Sequence, residues 1–599
     1  MPTSISKESN GISRRDALKA VGAAATATAV TAATATAFGT SAANAATNAA
    51  AAAPSKSKGG AKQPPKMNGA QAFFRTLEKG GVDTVFGCPG TSEMQIIQEL
   101  GQSDMKAVLG LQENVVTGMA HGYGVMADKP SLALLHVACG VSNGLSNMHN
   151  GRRAGAPMIV FAGGVAASHE VNNPEHQMLL RPHQIAAAAV DWAREARTSD
   201  LLADAAAAAI QAANQGTGQV AMVYGPAQTF WEEATVMEDQ LPPIPPRRVD
   251  KSTIQEIAQS LQSGGKTCLL LGGHALRHEQ REVAGRIAAG TGAELWQDFI
   301  VPRMARGAGT VPVKRIPYVV ESGVAALQDF DQIILVGNQI PVPTFSYKGK
   351  PLTKVADDTA IKTLATTDCD ILQALQDLAV AVAAPAEPAA REKRVQAKAP
   401  TGVLNEAAIC QSIVAALPEN AIVVDEGNME TFHFPELTAG AAPHDFLQAP
   451  TGGAIGAGVP VAIGAAVAAP HRKVVCLEGD FSLNLIPMSL WTLAKQNADV
   501  CVINLNNGGS QALRMELARV RPGEETDKAL DMLLIRGPEP DYVKIAEGYG
   551  VPASIATTAE EFHQQFAAAM KKKGPHFIDA HVESIAPATI EMIRENLVL

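Results

Sequence analysis

Short apolar runs of about five residues, each paired with a helix-period pattern, recur through three successive blocks of the chain. In block 67–240 the runs lie at 84–87, 107–111, 131–137, 158–162 and 219–224, after a helical segment "GAQAFFRTLEKGG" whose apolar positions recur every three or four residues. Strands that alternate with helices in this way specify a parallel sheet covered on both faces. Block 248–383 repeats the grammar with "KTCLLLGG" and "DQIILVGNQ", and block 403–599 repeats it with "AIVVDEG", "KVVCLEGD", "VCVINLNN" and "HFIDAHV". The proline-rich "LPPIPPRR" separates the first pair, and a Pro/Ala/charge stretch at 384–402 separates the second. The expected architecture is α/β, with three consecutive doubly wound parallel-sheet domains.

Composition narrows the function classes. Of 599 residues 46% are hydrophobic and only 18% charged, as in ordinary soluble α/β proteins, and the net charge of −10 comes without a basic face for nucleic acid. Residues 1–45 carry Arg14-Arg15, then a weak Ala/Thr apolar run, and Ala43-Asn44-Ala45 as a small-residue cleavage site. That pattern resembles a twin-arginine export signal, which implies transport of the folded chain to the periplasm; the run is too hydrophilic for a membrane span. The alternative is an uncleaved Ala-rich tail. Residues 46–66 read as a disordered linker. The seven cysteines are scattered without metal-ligand spacing, and no disulfide framework is expected.

The third block carries the chemistry. Asp480 and Asn507 each follow an apolar run, with room between them for one crossover helix at 488–496. Open parallel sheets bind ligands beyond the carboxyl ends of their strands. Two oxygen ligands there, with a free carbonyl in the turn Gly508-Gly509, suit a hard cation such as Mg²⁺, which in turn favours a diphosphate ligand. "DEGNME" at 425–430 also follows a strand, and "TGGAIGAGVPVAIGAAVAA" at 451–469 is a glycine-rich loop opening a helix, suited to an anion or planar ring. Taken singly, "GD" and "NN" are equally compatible with turn chemistry.

Together these elements resemble the thiamine diphosphate-dependent enzymes, specifically the acetolactate synthase and benzoylformate decarboxylase group, over roughly residues 67–590. The resemblance implies a pyrimidine-binding domain at 67–240, a central domain at 248–383 and a diphosphate-binding domain at 403–599. It implies thiamine diphosphate and Mg²⁺ as cofactors. Asp480, Asn507 and the Gly509 carbonyl would be the metal ligands, and Gly479, Ser482, Gly427 and Asn428 would lie along the diphosphate. Ile455 would be the wedge that bends the cofactor, and the Gly453 carbonyl would accept from its 4′-amino group. Phe481 departs from the family, which has glycine or another small residue beside the phosphate.

In the first block Glu113, at the start of a helix in "VLGLQENVVTGMAHGYG", resembles the glutamate that bonds N1′ of the aminopyrimidine. From the residues alone it reads equally as a helix-dipole partner. Thr91 and Ser92 in "FGCPGTSEM" resemble the substrate-side loop, and His136 resembles the pocket histidine of benzoylformate decarboxylase. His121 stands in "AHGYG" where the family has "ADGYA", and the central domain offers no clear second pocket histidine. The resemblance therefore implies a 2-oxoacid decarboxylase or acetolactate synthase-like carboligase acting on a small carbonyl substrate. Its sites would lie between the subunits of a homodimer or homotetramer. The competing reading is a catalytically weak relative that keeps the fold.

Overall fold

Three parallel sheets organise the chain in the computed structural model, which describes residues 67–172, 182–235, 240–346, 348–521, 523–584 and 590–591. The expected signal and the linker that follows it lie outside the described residues. The first sheet has six strands in the order Lys106–Leu109, Thr84–Cys88, Ser131–Leu135, Met158–Gly164, Val220–Pro226, Trp192–Glu195, all parallel. The Trp192–Glu195 strand gives no apolar signal in sequence, because "WARE" sits half-exposed on the sheet edge. The second sheet runs Lys314–Arg315, Glu294–Gln297, Thr267–Leu271, Gln332–Val336, Ala360–Ala365, also parallel.

The third sheet has seven strands. Its centre is β1 (Ala421–Glu426), β2 (Val474–Gly479) and β3 (Val500–Asn506), side by side and buried through most of their length. His444–Gln448 lies on the other side of β1, and His576–His581 and Ala553–Ala556 lie beyond β3. From β1 the chain goes to His444–Gln448 on one side, and then crosses back past β1 to reach β2 on the other. The gap between β1 and β2 is therefore a topological switch point, where the loops part and leave a crevice.

The seventh strand comes from outside the third block. Met304–Arg306 pairs antiparallel with His444–Gln448, so the middle block supplies an edge strand to the third sheet. Arg303 fastens it, its Nε 2.8 Å from Asp445 Oδ1. A three-residue strand has no periodicity to read, so this exchange is invisible in sequence.

The first and third sheets are joined through two helices that cross on glycine. These are α1 (Glu113–Ala127) and α3 (Gly458–Ala468), with α2 (Val137–Ala154) packed beside α1. A Cβ on Gly122 would sit 2.1 Å from the Val461 carbonyl oxygen, and one on Gly464 would sit 2.0 Å from the Met119 carbonyl oxygen. Backbone thus packs on backbone, and any side chain at these positions would push the helices apart. His121 lies inside this packing, 1% exposed, with no partner on Nδ1 among the described residues; burial lowers it to about 4, so it is a neutral core residue. All seven cysteines are unpaired thiols. Among the described residues no helix is long and apolar enough to cross a membrane.

Candidate active site

At the switch point one carboxylate staples two strand ends together. Asp480 follows β2 and opens a single helical turn, Asp480–Leu483. Its Oδ2 accepts the backbone N–H groups of Asn507 (3.2 Å), Gly508 (2.8 Å) and Gly509 (3.0 Å), and its Oδ1 accepts that of Phe481 (2.6 Å). The turn after β3 can wrap around this oxygen because Gly508 and Gly509 adopt φ of +80° and +129°. Burial raises the Asp480 carboxyl to about 6 against the pull of those donors.

Asn507 supplies a second oxygen. Its Nδ2 donates to Glu430 Oε1 at 2.7 Å, which leaves Oδ1 buried without a hydrogen-bond partner among the described residues. An unpaired buried acceptor beside a carboxylate is costly unless something binds it. Among the described residues no group of three His, Cys, Asp or Glu could hold a metal. A cation here would draw on Asp480, the Asn507 amide oxygen and oxygens of its own ligand.

These groups face a cavity of about 330 Å³. All ten third-block residues singled out in the sequence line it: Gly427, Asn428, Gly453, Ile455, Gly479, Asp480, Phe481, Ser482, Asn507 and Gly509. Gly453 has φ +83°, and a Cβ on it would stand in open space. Phe481 is half-buried and lines the cavity. The middle block closes the other end with Phe299, Tyr318 and Phe345, and the Arg315 guanidinium lies 4.6 Å over the Phe299 ring.

Two buried carboxylates, neither evident from sequence, hold the glycine loop from beneath. Glu426 accepts the N–H groups of Gly456 (2.7 Å), Ala457 (2.7 Å) and Gly458, and Glu478 accepts that of Val459 at 3.0 Å. They meet the N-terminus of α3, where backbone donors lack helical partners. Burial raises Glu426 to about 7; burial and then its neighbour Glu426 push Glu478 well above the carboxylate range, so Glu478 holds the proton.

The first-block residues sit elsewhere. Glu113 opens α1, behind a Gln112 side chain that caps the helix, and its Oε2 accepts from Asn143 Nδ2 at 3.1 Å. His136 precedes α2, its Nδ1 2.8 Å from Oε2 of the fully buried Glu93. Glu93 also accepts from Gly90 N (2.9 Å) and Val137 N (3.3 Å). Facing a carboxylate, Nδ1 carries the proton and Nε2 is left as the acceptor. Val137 has φ +38°, a strained value for a β-branched residue, right beside this imidazole. Thr91 and Ser92 lie in the short turn Thr91–Glu93. None of Glu113, His136, Thr91 or Ser92 lines the third-block cavity. Within one chain the two sets are apart.

Residues 67–187 match the thiamine pyrophosphate enzyme N-terminal TPP binding domain, and residues 428–580 match the C-terminal TPP binding domain of the same enzymes. A Mycobacterium tuberculosis protein described as "putative acetolactate synthase large subunit IlvX" is 40% identical over 526 residues, covering 87% of this chain and 100% of its own. Benzoylformate decarboxylase of Pseudomonas aeruginosa is 26% identical over 561 residues, covering 86% of this chain and 99% of its own. The fold is shared with the thiamine diphosphate-dependent 4-hydroxybenzoylformate decarboxylase of Rhodococcus jostii RHA1, at TM-score 0.73 and 23% identity over 87% of this chain and 100% of that one. Matched in both TPP binding domains and along the whole length of its mycobacterial relative, the chain belongs to the thiamine pyrophosphate enzyme family.

Proposed function

We propose that the protein is a thiamine diphosphate- and Mg²⁺-dependent 2-oxoacid decarboxylase or acetolactate synthase-like carboligase. The observation that carries this reading is the third-block cavity, where an unpaired amide oxygen, a carboxylate and the open Gly453 converge. Thiamine diphosphate, when bound, supplies the electron sink that a 2-oxoacid needs in order to lose CO₂. The chain's part is to bind, orient and handle protons. Asp480, Asn507 and the Gly509 carbonyl would hold the cation; Gly427, Asn428, Gly479 and Ser482 would lie along the diphosphate. Gly453 and Ile455 would support and bend the ring system. Glu113 would hold a proton against the aminopyrimidine, and His136, aimed by Glu93, would serve the substrate side through Nε2.

Because Glu113 and His136 do not reach this cavity in one chain, a complete site requires the first block of a second copy. The working form is then a homodimer or a pair of dimers. Export by the twin-arginine route to the periplasm is part of the proposal, since that route carries folded chains with cofactor in place. The direct test is thiamine diphosphate uptake by purified protein in millimolar Mg²⁺, followed by CO₂ and product analysis on mixed 2-oxoacids and aldehydes. No uptake would end this reading.

One observation favours the rival, a catalytically weak relative: Phe481 stands in the cavity wall. The backbone argues against impairment. The Phe481 N–H reaches Asp480 whatever its side chain, and its φ lies outside the left-handed region, so glycine has no conformational advantage there. Phe481→Ala is accordingly expected to leave thiamine diphosphate affinity within about threefold by calorimetry. Tightening beyond about tenfold would show that the ring crowds the ligand, since tenfold corresponds to about 1.4 kcal/mol.

A further inference from the structure

The loop at 451–458 belongs to the third sheet, yet it is held mainly by the first block. Asn150 on α2 bonds it as a strand would. Its Oδ1 accepts from Gly452 N (2.9 Å) and Ala454 N (3.3 Å), its Nδ2 donates to the Ala454 carbonyl (2.8 Å), and its own carbonyl accepts the Thr451 hydroxyl (2.6 Å). One turn earlier, Asn147 Nδ2 donates to the Gly456 carbonyl (3.2 Å) and to the Asn114 carbonyl (2.9 Å), while its Oδ1 accepts from Asn150 Nδ2 (2.8 Å). Both asparagines are 0% exposed.

A loop with left-handed glycines at 453 and 456 has little intrinsic preference for where its carbonyls point. Here Asn147 and Asn150 grip it from α2 and Glu426 grips it from β1, so the segment between is fixed on both sides. The same ladder ends at Asn114, next to Glu113: Asn147 N and the Ser146 hydroxyl donate to Asn114 Oδ1 at 3.0 and 2.6 Å. One buried amide frame therefore sets both the loop with Gly453 and Ile455 and the first turn of α1. Orientation at this scale matters, since misplacement by about 1 Å can cost 10²-fold in rate.

We propose that Asn147 and Asn150 are positioning residues, which set the height of the Gly453 carbonyl and the Ile455 side chain beneath the ring system of the cofactor. The inference rests on the thiamine diphosphate reading. It predicts that loosening the ladder weakens recognition of the rings and leaves the diphosphate subsite at Asp480 and Asn507 intact.

The test compares two probes in millimolar Mg²⁺ on the full chain: thiamine diphosphate and inorganic diphosphate. Asn150→Ala removes four hydrogen bonds of the frame, and should weaken thiamine diphosphate by about 10- to 100-fold while inorganic diphosphate stays within about twofold. Thr451→Val, isosteric and lacking one bond, should weaken it by about three- to tenfold, and decides the matter if Asn150→Ala does not fold. Parallel weakening of both probes would show a merely structural role, and unchanged binding of both would show none; either overturns the proposal. If the unsubstituted protein binds inorganic diphosphate and no thiamine diphosphate, the cofactor reading itself fails before any variant is made.

Discussion

Glu113→Gln is expected to lower turnover by about 10² to 10⁴ while leaving thiamine diphosphate affinity within about threefold. The range is that of a positioned proton-transfer group. Glutamine keeps the length and shape of the side chain, and its carbonyl oxygen can still accept from Asn143 Nδ2, which donates to Glu113 Oε2 at 3.1 Å. The tight packing against Gly140, whose added Cβ would lie 3.0 Å from Oε1, is also unchanged in volume. What glutamine cannot do is take up and release a proton. The variant therefore separates chemistry from architecture, and the split shows as a fall in kcat at nearly constant cofactor affinity. Turnover within threefold of the parent would remove Glu113 from the mechanism. Loss of cofactor binding together with turnover would place it in the α1 cap instead.

The ten third-block positions picked out from the residues all line one cavity, and the reason is local. A strand that ends at a switch point must hand its ligands over within two or three residues, so Asp480, Asn507 and Gly427 lie beside apolar runs that mark themselves. The supporting shell is not local. Glu426 and Glu478 stand at the ends of strand runs with no sign of a task until the fold brings the start of α3 onto them. Glu93 in "GTSEM" looks like an ordinary first-turn glutamate; only the sheet shows it buried under His136. Asn147 and Asn150 are polar residues within α2, and only the packing shows them buried. The antiparallel strand Met304–Arg306 and the separation of Glu113 from the cavity depend on packing between blocks, about which a hydrophobic period carries no information.

Asp480→Asn is expected to abolish Mg²⁺-dependent uptake of thiamine diphosphate over the accessible range, a loss of at least about 100-fold. The carboxylate does two jobs. It accepts four backbone N–H groups that hold the turn after β3 against β2, and in the proposed site it carries the only charge offered to the cation. Hydrogen bonds to an ionised group contribute about 1.5–3 kcal/mol each. An amide turns one acceptor into a donor, which then faces N–H groups or the cation. The parent protein should show the same chemistry as a pH dependence. A carboxyl raised from 3.8 to about 6 in the metal-free fold stabilises that fold at low pH, and the contribution is lost as pH rises through about 6. Cation binding runs the other way, because the metal must displace the proton. Thiamine diphosphate affinity in Mg²⁺ should thus be flat above about pH 7 and fall by up to about tenfold per pH unit below 6, with proton release detectable by calorimetry in buffers of different ionisation enthalpy. Uptake that is level between pH 5 and 8, or an Asp480→Asn protein that binds like the parent, would take the metal away from Asp480. Chelation of Mg²⁺ from the loaded protein should release the cofactor, and retention of the cofactor in excess chelator would have the same consequence.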